Sequence, residues 1–149
     1  MQSILKIRMA NRRDAKIVTQ LVCSLLSELG GERVNDQSYR EAAGSLLNGN
    51  SDYTVFLGST ESGENVGLIS VSGSGAVYTK GNYGIIHELY VKPEYRSQNV
   101  GGKLLEKVVE YARQHKWTRL EVATPNPHLW ERTVAFYRRN AFEQIGISM

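Results

Sequence analysis

The chain is short of the residues that would specialise it. Its only cysteine, Cys23, excludes an internal disulfide, and its place in a helical apolar pattern marks it as a packed thiol. No apolar run approaches the roughly 20 residues of a membrane-spanning helix, and the first residues lack the apolar stretch of a signal peptide. No membrane partner is therefore expected, and the cytoplasm is the expected compartment. Charge of one sign is scarce as well. Eighteen Lys and Arg against 15 Asp and Glu leave a formal charge of +3, which suits an anionic cofactor but does not by itself indicate nucleic acid. No Lys/Arg cluster with interleaved aromatics appears, which counts against a nucleic-acid partner. Internal repeats and low-complexity tracts are also missing. What remains is ordinary: 149 residues, 41% hydrophobic and 22% charged, enough for one globular domain over residues 1–149.

Periodicity gives the elements. Residues 3–8 alternate as a first strand. Asn11 is placed to cap a helix with Asp14 in its first turn, and Ile17, Val18, Leu21, Val22, Leu25 and Leu26 form its apolar stripe up to Gly30-Gly31. Asn35-Asp36 can cap a second helix carrying Tyr39, Ala42, Ala43, Leu46 and Leu47. Residues 53–57 and 65–72 read as strands joined by a polar turn, a hairpin and so antiparallel. Residues 72–84, with four glycines, read as the most flexible segment. A strand is expected at 118–123, a helix at 129–139 and a final strand at 142–149.

The most informative stretch is 85–115. Ile85, Ile86, Leu89, Tyr90 and Val91 form a β-prone run with His87-Glu88 embedded in it, and Pro93 ends it because it cannot donate to a ladder. After Arg96 come Ser97, Gln98, Asn99, Val100, Gly101 and Gly102, mostly small or left-handed-tolerant residues. Leu104, Leu105, Val108, Val109 and Ala112 then recur at helical spacing, so a helix begins near Gly101. Free N–H groups and the positive dipole end at such a helix start make an anion site.

This stretch resembles motif A of the GNAT superfamily of acyl-CoA N-acyltransferases. The family's pyrophosphate loop is Arg or Gln, two residues, Gly, one residue, then Gly or Ala. Here it stands as Arg96, Ser97-Gln98, Asn99, Val100, Gly101, with Asn99 in place of the first glycine and therefore expected at positive φ. A second piece, Ala135-Phe136-Tyr137 followed by Ala141-Phe142, resembles the family's late helix. The resemblance implies an α+β fold: a mixed, mostly antiparallel sheet of six to seven strands flanked by about four helices. It implies acetyl-CoA as co-substrate, no metal, and a primary amine as acceptor, and it leaves a homodimer open. The acceptor would be a small molecule such as an aminoglycoside, a polyamine or an amino acid. A protein or peptide acceptor, charged tRNA as the target of a toxin, and a non-catalytic acyl-CoA-binding module are the other readings.

Site residues follow from the same resemblance. The loop from Arg96 to Lys103 would hold the pyrophosphate. The pantetheine arm would lie along Leu89, Tyr90 and Val91, with the Leu89 N–H meeting the thioester carbonyl. Glu88 or His87 would be the base. Being adjacent on a strand, only one is expected to face the site. Glu88 is favoured, because an apolar setting brings a carboxyl toward proton exchange near neutral pH. Tyr137 would protonate the departing thiolate, since a phenol is protonated up to a pKa of about 10. The family's pantetheine-binding Asn is replaced by Trp130, leaving Asn126 as a substitute. Trp130 and His128 join residues 28–34 as candidates for the acceptor pocket.

Overall fold

A computed structural model describes residues 5–30 and 36–122. In chain order they form β1 (Lys6–Met9), a 3-10 turn (Arg12–Asp14), α1 (Ala15–Gly30), α2 (Asp36–Leu46), β2 (Tyr53–Ser59), β3 (Asn65–Ala76) and β4 (Gly81–Val91). A second 3-10 turn (Pro93–Gln98), α3 (Val100–Gln114) and β5 (Leu120–Val122) follow. This is the order expected from the sequence up to that point. The helix at 129–139 and the strand at 142–149 lie outside the described residues. The strands lie side by side in the order β1-β2-β3-β4-β5. The first three pairings are antiparallel, and β4 with β5 is parallel. The sheet is thus mixed and mostly antiparallel, with five described strands where six to seven are expected.

Local chemistry sets the start of α1. The Asn11 side chain accepts from the Arg13 N–H at 2.9 Å, while the Asp14 carboxylate accepts from the Asn11 N–H at 2.9 Å. This reciprocal cap satisfies two N–H groups that the helix leaves free. Asp14 also receives both ends of the Arg8 guanidinium, at 2.9 and 2.8 Å. That fork ties β1 to the helix start, and it holds the Asp14 carboxyl below the usual carboxylate range.

Helices cover both faces of the sheet. Val18, Leu21, Val22 and Leu25 of α1, with Ala43 and Leu47, pack against Val55, Leu57, Leu68 and Tyr90. On the opposite face Val100, Leu104, Leu105 and Val108 of α3 pack against Phe56, Val66, Ile69, Val71 and Ile86. Alternate residues along β2 and β3 therefore serve different cores, as the two-residue pleat requires.

One expectation is overturned. The glycine-rich stretch 72–84 is no loose segment but the end of a regular hairpin, in which Gly73 pairs with Gly84 and Ala76 with Gly81. Trp117 supplies the reason for the first two of these. A Cβ on Gly84 would stand 2.5 Å from its indole ring, and one on Gly73 would stand 3.3 Å away. These glycines give an aromatic ring clearance to lie on the sheet.

Candidate active site

The register of β3 against β4 breaks at one place. Ile69 pairs with Leu89 and Val71 with Ile86, so Ser70 alone faces two residues, His87 and Glu88. That is a β-bulge, and it changes which way side chains point. Ile86 and Leu89 pack in the α3 core, while Tyr90 packs in the α1/α2 core. Between them, His87 and Glu88 both turn to the α1/α2 side. The expectation that only one of the pair can face the site holds for a regular strand and fails here.

Three residues that the sequence did not single out meet this pair. The Glu88 Oε1 accepts from the Ser70 hydroxyl and from the Tyr53 hydroxyl. The Ser70 Oγ accepts in turn from the Glu88 N–H at 3.0 Å. Ser72 Oγ lies 2.6 Å from His87 Nε2, and the Tyr53 ring centroid lies 6.2 Å from the imidazole. Burial, together with the neighbouring Glu88 charge, pushes the Tyr53 phenol well above its ordinary pKa, so it stays protonated and donates. Ser70 and Ser72 carry a usable signal: two hydroxyls at a spacing of two inside an otherwise apolar strand.

The C-terminal end of β4 leads into the loop. Leu89, Tyr90 and Val91 pair with Ile69, Leu68 and Gly67 of β3. Among the described residues β5 reaches β4 only as far as the Val122–Ile86 pair. The β4 edge from His87 to Val91 therefore has no described strand on that side.

Arg96 is tied down rather than projecting. Its Nε donates to the Val91 carbonyl at 2.9 Å, its Nη2 donates to Glu28 Oε2 at 2.7 Å, and its guanidinium lies 5.7 Å from the Tyr90 ring centroid. The hydrogen bond to Glu28 raises its pKa further. Arg96 thus braces the turn against both the end of β4 and the C-terminal part of α1.

Asn99 adopts φ 57° and ψ 30°, the left-handed conformation expected where the family pattern has glycine. Ser97, Gln98 and Asn99 are exposed. Val100 and Gly102 are buried, and Gly101 and Lys103 half-buried. The Lys103 N–H donates to the Asn99 carbonyl at 3.1 Å, and the first turn of α3 carries no acidic residue. A helix start of this kind favours an anion. Among the described residues no three His, Cys, Asp or Glu side chains are grouped to hold a metal ion, and no helix is long and apolar enough to cross a membrane. Tyr137, Asn126, Trp130 and His128 lie outside the described residues.

The comparisons with known proteins bear on family and fold. Residues 19–142 match the model of the Acetyltransferase (GNAT) family. The chain belongs to the GNAT acetyltransferase family. It is an acetyl-CoA-dependent N-acetyltransferase by that membership. The aminoalkylphosphonate N-acetyltransferase of Salmonella typhimurium is 31% identical over 143 residues, which span 95% of this chain and 86% of that protein. An uncharacterized N-acetyltransferase of Archaeoglobus fulgidus is 39% identical over 67 residues, so the match spans 46% of that relative and 43% of this chain. Among solved structures, a possible acetyltransferase from Clostridium difficile 630 superposes with a TM-score of 0.85 at 16% identity. That match covers 98% of this chain and 95% of the other, a likeness of fold.

Proposed function

We propose that this GNAT protein acetylates the primary amine of a small molecule by direct attack on the thioester of acetyl-CoA, with Glu88 as the base. The observation that carries the reading is the bulge, which leaves Glu88 and His87 on one side of the sheet, beside the stretch of β4 that has no described strand at its outer edge. The amine nitrogen attacks the thioester carbonyl carbon, and the new C–N bond places negative charge on the carbonyl oxygen. The Leu89 N–H, fixed in the backbone, is the donor for that oxyanion. The C–S bond then breaks, Tyr137 protonates the departing thiolate, and the proton lost by the amine passes to Glu88 directly or through water. The loop from Arg96 to Lys103 holds the pyrophosphate at the start of α3. Within it Arg96 acts chiefly as a brace, given its bonds to Val91 and Glu28.

A small acceptor is supported by the relative named for aminoalkylphosphonates, which matches over nearly the whole chain. Thiol release from acetyl-CoA should therefore be measured with 2-aminoethylphosphonate, spermidine, lysine and an aminoglycoside, with the product identified by mass. Turnover of at least one of the four is expected. Coenzyme A binding without turnover of any would point to an acyl-CoA-binding module, and turnover of peptides alone to a protein acetyltransferase. Glu88→Gln should lower kcat at neutral pH by about 100-fold, with a smaller loss at high pH where the amine deprotonates unaided. A parental rate for Glu88→Gln beside a crippled His87→Ala would move the role to His87.

A further inference from the structure

Both hydroxyls that reach Glu88 end on the same oxygen. Ser70 and Tyr53 donate to Oε1, and the described contacts of the carboxylate leave Oε2 open. The roles of the Ser70 hydroxyl are fixed by geometry, because its oxygen already accepts from the Glu88 N–H at 3.0 Å and its proton is left for Oε1. Ser70 is fully buried, in a strand whose neighbours Ile69 and Val71 are themselves fully buried. Its position is therefore set by the core and not by solvent. Tyr53 comes from a different strand, with its ring packed against the α1/α2 core, so the carboxylate is gripped from β2 and β3 at once.

Charged neighbours do not account for this grip. Among the described residues the titratable groups on this face include Tyr53, His87 beside it, and Tyr90 with the Glu28–Arg96 pair next to it. His87 is engaged by Ser72 at 2.6 Å. Asp36, Arg40 and Glu41 of α2 are exposed and line a separate open recess.

We infer that Tyr53 and Ser70 are positioning residues, which pin Oε1 of Glu88 so that Oε2 presents its lone pair to the acceptor amine. The inference rests on the reading of Glu88 as base. A carboxylate on a flexible side chain spreads over several rotamers, and holding one of them converts a rare geometry into the resting one. The register of Leu68 and Ile69 with Tyr90 and Leu89 sets Glu88 opposite Ser70 and on the face of both donors, and the bulge brings His87 to that same face beside it.

The test is a kinetic cycle on the full chain, with acetyl-CoA and whichever of the four amines above turns over fastest. Tyr53→Phe keeps the ring and removes one donor. Ser70→Ala removes the other. Each should lower kcat about tenfold, in line with losing a hydrogen bond to a charged group, and leave the KM for acetyl-CoA unchanged. In a Glu88→Gln background the same two changes should each cost less than about twofold, because the group they position is gone. Losses that multiply undiminished onto Glu88→Gln, or a KM that rises while kcat holds, would assign both residues to packing or substrate binding and overturn the inference. A parental kcat for Glu88→Gln alone would instead remove the base reading on which it rests.

Discussion

Val71 and Ser72 are neighbours on one strand and belong to different worlds. Val71 faces α3, in a core where Phe56, Ile69, Val71, Ile86, Leu104 and Val108 are all 2% exposed or less. Ser72 faces the other way, where the sheet begins dry at Leu57 and Leu68 and turns polar at Tyr53, Ser70, Ser72, His87 and Glu88. The difference is a division of labour between faces of the same strands. Close packing under α3 fixes where each backbone atom stands, and the polar end of the other face exploits those fixed positions. Among the described residues no buried polar side-chain atom lacks a partner, so the polar end is not a gap in the core.

The largest effect should come from breaking the dry face. Leu104→Ala removes a fully buried side chain from the centre of the α3 contact. A loss of about 2–5 kcal/mol is expected in urea unfolding, the cost of the lost burial plus the cavity. A loss under about 1 kcal/mol would mean that α3 is not packed there as described.

The contrast between faces is sharpened by exchanging chemistry at adjacent positions. Val71→Ser places a hydroxyl in a dry core without an evident partner and should cost about 2–3 kcal/mol. Ser72→Val, half-exposed, should change stability by less than about 0.5 kcal/mol while its effect falls on turnover through His87. Equal destabilisation by the two would erase the distinction.

Gly84→Ala tests the ring clearance. Its Cβ would meet both Trp117, at 2.5 Å, and Leu120, at 2.8 Å, so both must move. A cost of about 2 kcal/mol is expected from overpacking. Trp117→Ala in the same chain should cancel the part of that cost that belongs to the ring and leave the part due to Leu120, measurable as a double-mutant cycle in denaturant.

Much of this was legible beforehand, and the misses have physical causes. Helix stripes, the Asn11 cap, the stop at Pro93 and the left-handed Asn99 all depend on local rules, and local rules are written in consecutive residues. The bulge is not local. It arises because β3 and β4 pair in two registers on either side of Ser70, and nothing in His87-Glu88 announces an extra residue. Glycine is ambiguous for the same reason: Gly73 and Gly84 look like freedom until Trp117, far along the chain, is found lying over them. Tyr53 escaped because its partner Glu88 is 35 residues away and an aromatic on a strand reads first as core.

The smallest expected effect concerns the loop that joins the two faces at the start of α3. Asn99 holds a left-handed backbone that glycine adopts without strain and β-branched residues resist. Its side chain also occupies space over Gly102, where an added Cβ would stand 2.2 Å from Asn99 Oδ1. Two consequences for coenzyme A binding follow. Asn99→Gly should bind at least as tightly as the parent, whereas Asn99→Val should bind about 1–2 kcal/mol more weakly. Gly102→Ala should weaken binding by pushing the Asn99 side chain toward the helix start, and Asn99→Gly in the same chain should restore it. Calorimetric titration of the four variants with coenzyme A reads both effects. If Gly102→Ala is equally weak with glycine at 99, the methyl group obstructs the ligand itself, and the coupling between the two positions plays no part in holding the anion.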